Sequence, residues 1–324
     1  MTYDVVAIGE LLIDFTDVGS SEETDPVFQA HAGGAPANVC AMLAKLGKRS
    51  SLIAKVGPDF FAPYLIAQVE RAGIDTTAIT KDPRIHTTLA FVKNTADGER
   101  DFAFFRQPGA DTQLSEADID EQLIKEARIL HFGSLSLTQQ PARQATVRAV
   151  QLAQANNCLI SFDPNLRPPL WDDLMVAREQ MAWGCCHAHI LKLSEEELSF
   201  LTGESVIPSA VHLLLETASD LKLIFVTRGA AGSEAYYKGK RYAQPAFLSA
   251  ETIDTTGAGD AFFGACLAKL LDLDIDSLGE REIRDILTFA NAAASLVTRK
   301  KGALMQMPSA QSIKSLIASE MTQA

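Results

Sequence analysis

The sequence has no apolar run of the ~18 residues that a membrane-crossing helix needs. It contains no G-x-x-x-x-G-K-[ST], which excludes a Walker-type phosphate loop, and no G-x-G-x-x-G follows its first apolar run, which counts against a dinucleotide fingerprint. Positive charge is scarce. Lys and Arg number 29 against 41 Asp and Glu, a net charge of -12, which argues against a nucleic-acid or anionic-membrane partner. Any polyphosphate must therefore meet a locally basic spot, backbone amides or a metal. Cysteine is sparse as well: five residues, widely spaced and odd in number, read as reduced and mostly buried thiols. Cys185-Cys186-His187-Ala188-His189 crowds four metal-binding side chains too closely for one tetrahedral ion, so it reads as a helix end feeding a strand. The opening Met1-Thr2-Tyr3-Asp4 lacks a basic leader, and a cytoplasmic protein is expected. A composition that is 47% hydrophobic and 22% charged suits one large α/β unit spanning residues 1–324.

The chain is organised around Asp254-Thr255-Thr256-Gly257-Ala258-Gly259-Asp260. Two threonines are expected to end an extended segment, and an apolar helix to follow over 261–271. Glycines at a helix mouth leave amides open to an anion. Asp260 in the same turn is either a stabilising first-turn acid or the group that takes a hydroxyl proton. Gly33-Gly34-Ala35-Pro36-Ala37-Asn38 repeats the pattern: two glycines, a Pro suited to a first turn, then an apolar helix to Gly47. Asn38 there can both donate and accept. Asp14, between Ile13 and Phe15, is a turn residue or a hydroxyl binder.

Strands are expected at 4–9, 50–56, 129–133, 159–162, 189–193 and 223–227. Helices are expected at 58–71, 115–127, 141–156, 171–183, 194–201, 209–218 and 283–296, with a hairpin at 234–243. Alternating β and α segments predict a parallel sheet with helices on both faces, a three-layer α/β fold whose ligands lie at the strand C-termini. Asp163, Asn165, Arg167, Lys192, Ser194, Thr227, Arg228, Gly229 and Gly232 fall at such ends. Segments 85–93 and 100–106, around Asp97-Gly98, read instead as a hairpin. With 13–17 and 27–31 it predicts a small antiparallel sheet, a lid drawn from about 11–32 and 85–108. One Phe-rich face of so thin a sheet must cover a cleft or a second subunit.

Taken together, the Gly33–Asn38 and Asp254–Phe262 stretches resemble the two signatures of the ribokinase-like (PfkB) carbohydrate kinases, over essentially residues 4–308. The fructokinase branch is the most similar. Gly9-Glu10-Leu11-Leu12-Ile13-Asp14-Phe15, Phe105-Arg106-Gln107-Pro108-Gly109-Ala110-Asp111, Asp163-Pro164-Asn165-Leu166-Arg167 and Lys192-Leu193-Ser194-Glu195-Glu196-Glu197 carry that likeness. Phe91 and Phe104 stand where a ketodeoxygluconate kinase favours tyrosines. The family's N-x-x-E magnesium motif falls on Ser194 and Glu197, with Ser in place of Asn.

The resemblance implies transfer of the ATP γ-phosphate to a primary hydroxyl of a small sugar, fructose first. 2-Keto-3-deoxygluconate kinase, ribokinase and aminoimidazole riboside kinase are alternatives, and a silent sugar- or nucleotide-binding regulator is a remote one. It implies Asp260 as catalytic base, with the amides of Gly257, Ala258 and Gly259 as the anion hole. It implies that Asp14, Gly33, Gly34, Asn38, Phe104, Arg106 and Arg167 serve the sugar. Lys192, Ser194, Thr227, Gly229, Gly232, Gly257, Gly259 and Asn291 would serve the nucleotide. Glu197 would hold Mg²⁺ through water, and Asp254, Thr256 and Gly302 a monovalent cation such as K⁺. A homodimer joined through the lid is expected.

Overall fold

The computed structural model describes residues 3–20, 25–94 and 100–323. In chain order its strands are β1 (Tyr3–Ile8), β2 (Leu12–Ser20), β3 (Pro26–Gly33), β4 (Ser50–Val56), β5 (Ile79–Lys81), β6 (Leu89–Asn94), β7 (Arg100–Phe105), β8 (Ala127–Gly133), β9 (Leu159–Asp163), β10 (Ile190–Ser194), β11 (Leu223–Thr227), β12 (Ser233–Tyr237) and β13 (Lys240–Gln244). The α-helices are α1 (Ala35–Lys45), α2 (Phe61–Arg71), α3 (Glu121–Lys125), α4 (Ala142–Ala155), α5 (Leu174–His187), α6 (Glu195–Thr202), α7 (Ile207–Thr217), α8 (Ala258–Leu270), α9 (Glu280–Val297) and α10 (Ala310–Gln323).

Nine strands form one sheet in the order β13-β12-β11-β10-β9-β8-β1-β4-β5. Its pairs are parallel from β11 to β5, and the β12–β13 hairpin adds an antiparallel edge. Strands buried on both faces read as continuous apolar runs, and β1 shows why. Val5 and Ala7 enter one core, with residues of α1, α2, α8 and α9. Val6 and Ile8 enter the other, with residues of α4 through α7. Three layers follow, and the loops after β1, β8, β9 and β10 open on one edge.

The other sheet is β3-β2-β6-β7. It is not wholly antiparallel as expected: β2 and β6 run parallel, because the chain passes through the main body between them. The expected Asp97-Gly98 turn lies outside the described residues. Period-2 alternation divides the sheet's side chains. Asp14, His31 and Phe104 share one face, whereas Phe15, Phe91 and Phe105 share the other, by their pairing registers.

Several boundaries move for local reasons. The single helix expected over 115–127 is broken, because Asp118 accepts bonds from Ser115 and Lys55 while Asp120 caps a new, short α3. Helix α5 starts at Leu174, where Asp173 caps it, and runs on to His187. Residues 253 and 254 form no strand; both their amides donate to the Thr298 carbonyl instead. The three-residue β5 is too short to have left a periodic signal. Among the described residues no single helix is long and apolar enough to cross a membrane.

Candidate active site

A cavity of about 180 Å³ lies where the small sheet meets the open edge of the large one. The N-termini of α1 and α8 form its floor. Helix α8 begins at Gly257, whose φ of 78° is left-handed and whose Cβ, if present, would strike Ala303. No side chain caps this helix, so its first-turn amides and dipole face the cavity. Lys192 adds charge at the same place: its ammonium lies 3.0 Å from where a Cβ on Gly259 would be. It is buried and paired with Asp163 at 3.0 Å. Burial alone would lower its pKa, but the Asp163 and Glu197 carboxylates hold it above the usual lysine value.

Asp260 projects from the first turn of α8 and accepts a 2.8 Å hydrogen bond from Asn38 Nδ2. That bond joins residues 222 positions apart and ties the two glycine-led helices together. Burial, then the Asp163 charge, raises the Asp260 carboxyl to about 6; Asn38, Lys192 and Arg167 oppose the rise. Asp14 rises to about 7, chiefly through burial, despite the counter-charge of Arg167. It fills the space beside Gly33, where any Cβ would overlap its carboxylate.

Asp254 closes the far side. Its Oδ1 accepts from the Thr256 amide at 2.9 Å and its Oδ2 from the Gly302 amide at 3.2 Å. Two loops distant in sequence thereby share one carboxylate.

A larger cavity, about 560 Å³, adjoins the first across the α8 N-terminus, and Thr255 lines both. Its volume is in the range of small-molecule sites. Gly229, Ala258, Asn291, Phe247 and Leu248 line it, with small residues where a flat ring can lie. Asn291 accepts from Ser233 and donates to the carbonyls of Gln244 and Pro245, so its amide fixes the end of β13 while its flank faces the cavity.

Of the residues expected at the site, Asp14, Gly34, Asn38, Phe104, Arg167, Lys192, Asp254, Thr256, Gly257, Gly259, Asp260 and Gly302 line the first cavity. Gly229, Ala258 and Asn291 line the second. Gly33 stands just behind Asp14. Arg106 is drawn away: it pairs with Asp111 at 2.7 Å and donates to Thr138 Oγ1 and the Leu135 carbonyl, and it lines neither cavity. Ser194 is the N-cap of α6. Glu197 completes its capping box, accepting from the Ser194 and Leu166 amides at 2.8 and 2.7 Å. Thr227 bonds the Leu193 carbonyl at 3.3 Å, and Gly232 makes a turn in which a Cβ would strike the Gln244 carbonyl. Neither lines either cavity. The sequence reading assigned no role to Glu10, Thr16 or His31, which also line the first one. Two of them carry a mark that only the packed chain shows: Glu10 Oε2 and His31 Nε2 are buried with no hydrogen-bond partner among the described residues.

Amides and a lysine around an anion position, a carboxylate one turn in, and a ring-sized cavity beside them define a phosphoryl-transfer site on a three-layer α/β fold. The chain belongs to the pfkB family of carbohydrate kinases, which its residues 2–310 match. It is 39% identical to fructokinase-1 of Zea mays, covering 97% of both chains. It is 38% identical to fructokinase-2 of Solanum habrochaites, covering 97% of this chain and 95% of that one. The structure is similar to a fructokinase from Xylella fastidiosa with bound ATP, with a TM-score of 0.89, 30% identity and coverage of 98% and 99%. A fructokinase from Vibrio cholerae O395 is similar too. Its fructose-, ADP- and potassium-bound double mutant has a TM-score of 0.88 at 29% identity, covering 98% of this chain and 99% of that one. This chain is therefore an ATP-dependent carbohydrate kinase.

Proposed function

We propose that this carbohydrate kinase acts on fructose, moving the γ-phosphate of ATP to the 6-hydroxyl. The observation that carries the reading is the α8 N-terminus between two cavities, one lined by Asp14, Asn38 and Asp260 and one by small and apolar residues. The relatives named above are fructokinases, which favours fructose over ribose, ketodeoxygluconate or a nucleoside. The first cavity takes the sugar, with Asp14, Gly34 and Asn38 on its hydroxyls. The second takes the nucleotide, whose terminal phosphate reaches the Gly257, Ala258 and Gly259 amides. Arg106 acts at a distance, by bracing the Leu135 carbonyl on the sugar cavity's wall.

Asp260 holds the attacking hydroxyl in line and accepts its proton. In a loose transition state that proton leaves late, so orientation matters more than basicity. Lys192 and the helix amides spread the charge that develops on the transferred group.

Among the described residues no group of three or more His, Cys, Asp or Glu side chains could hold a metal ion. Mg²⁺ keeps several waters and arrives on phosphates, so it calls for few direct protein ligands. Glu197 and the nearby Asp163 would meet its water shell, Ser194 serving to fix Glu197. Bound there, the ion neutralises charge on the nucleotide. The Asp254, Thr256 and Gly302 loops would take K⁺. The small sheet acts as a lid that excludes water over the sugar, and its Phe-rich outer face joins two copies as a homodimer.

The test is coupled ADP release with ATP and Mg²⁺, with and without K⁺, across fructose, ribose, ketodeoxygluconate, glucose and a nucleoside. Fructose should give the highest kcat/KM. Equal rates on all of them, or none on fructose, would overturn the assignment.

A further inference from the structure

Glu10 is the first residue after Gly9 at the open end of β1, and only 3% of it is exposed. Its Oε1 accepts a hydrogen bond from the Ala35 amide at 2.8 Å, at the first position of α1. Its Oε2 is buried and has no hydrogen-bond partner among the described residues. A buried acceptor left unpaired is costly, more so for a charged group, so a native fold keeps one where something else supplies the donor. The same description fits Asn38. It is 4% exposed, gives its Nδ2 to Asp260, and leaves its Oδ1 buried and unpartnered.

These two orphaned oxygens belong to one surface. Both residues line the smaller cavity. Ala35, which anchors Glu10, and Asn38 are three positions apart on α1 and so lie on one side of the helix. Gly34, the N-cap just before Ala35, has a φ of 124°, and a Cβ there would collide with the Glu10 carbonyl. Behind Glu10 lie the Arg106 and Asp111 charges, but those two groups are committed to each other and to Thr88, Thr138 and Leu135. Burial raises the Glu10 carboxyl to about 7, while its own amide and that of Ala35 favour the ionised form that accepts hydrogen bonds. The floor thus offers two oxygens, Glu10 Oε2 and Asn38 Oδ1, that no side chain among the described residues meets.

We propose that Glu10 reads the sugar: its free Oε2 accepts a hydrogen bond from a hydroxyl other than the one phosphorylated, with Asn38 Oδ1 accepting a second. The inference rests on the sugar-kinase reading of this cavity. The ligand class it selects is a polyol with two hydroxyls reaching the floor while a third sits at Asp260. A site built around an unpaired acceptor discriminates strongly against the analogue that lacks the matching hydroxyl.

Glu10→Gln separates this role from helix capping. The glutamine carbonyl can still take the Ala35 amide, which leaves an NH₂ donor where the acceptor was. Sugar binding is measured by calorimetry without nucleotide, on the sugar that the wild-type protein prefers, and then on its monodeoxy analogues. The variant should bind that sugar about tenfold or more weakly, with a Tm no lower than that of the wild type and an unchanged KM for ATP. One deoxy analogue should lose a similar factor on the wild-type protein and no further factor on Glu10→Gln. Equal sugar affinity in variant and wild type would show that a trapped water, not the sugar, satisfies Oε2, and would overturn the proposal. So would a parallel loss of sugar affinity, ATP affinity and Tm. If the variant does not fold, the wild-type analogue series still decides: equal binding of every monodeoxy analogue overturns the idea. A wild-type protein that prefers a sugar other than fructose corrects the substrate alone, and the Glu10 comparison then runs on that sugar. Binding of no sugar overturns both readings.

Discussion

At Asp260, burial and a neighbouring carboxylate lift the carboxyl to about 6, and this sets an expected pH dependence. The ionised form is the one that accepts the hydroxyl proton, so kcat/KM should fall below an acid limb near pH 6. Asp260→Asn should remove that limb, keep sugar binding and lower kcat by about 10²–10⁴-fold; near-normal turnover would sink the role. Asp14 makes a different prediction, on stability. Its folded value of about 7 lies above the ~3.9 of an unfolded Asp. The folded form therefore binds the proton more tightly, and its contribution is complete at low pH and lost as pH rises through about 7. Asp14→Asn should raise Tm at pH 8, flatten the fall of Tm between about pH 4 and about 7, and weaken sugar binding. Identical pH slopes by calorimetry would show that the burial of this carboxylate costs nothing. Asp14, Asn38 and Asp260 were legible in the sequence because each sits beside glycines or at an apolar strand end, where a polar residue is conspicuous. Glu10 and His31 were not, because what marks them is an atom without a partner, a property of the packed chain alone.

Among the elements, the start of α6 and the start of α8 invite opposite experiments. Ser194 and Glu197 form a reciprocal cap. Ser194→Ala should cost about 1 kcal/mol, whereas Ser194→Asn should restore most of it. Chemical denaturation reads the first effect and the Mg²⁺ dependence of turnover the second. If Ser194 only caps, the Asn variant matches the wild type in both. At α8 the helix is left uncapped and its N-cap glycine is left-handed. Gly257→Ala forces a side chain into the left-handed region and against Ala303, a strain of about 1–3 kcal/mol. It should lower kcat more than it raises the KM for sugar, which steady-state kinetics on both substrates would show. The glycine pattern made these two helix starts readable in advance. The break at Asp118 was not readable, since Lys55, the residue that holds it there, is 63 positions away.

For the whole molecule, the alternation of strands and helices was enough to foresee three layers, but not that β2 and β6 would pair in parallel. On the outer face of the small sheet, Phe15 and Phe91 stack at 4.7 Å, while Phe28 and Phe105 meet Phe91 edge-on. Phe105 is 64% exposed, an apolar surface that a second copy would cover. Light scattering should give a dimer for the wild-type chain and a shift toward monomer for Phe105→Glu; a wild-type monomer at working concentration would count against the assembly. The two helices that carry Asn38 and Asp260 make the contrast. Gly264 of α8 lies so close to α1 that a Cβ would sit 2.7 Å from Met42 Cβ and 3.0 Å from the Val39 carbonyl oxygen. Backbone against backbone, α1 and α8 leave no slack for adjustment. Anyone retuning this protein for another acceptor should therefore work on the strand residues of the small sheet, where side chains can be exchanged piecemeal. The α1–α8 seam behaves as a fixed chassis, in which even one added methyl group would force apart the two ends of the reaction.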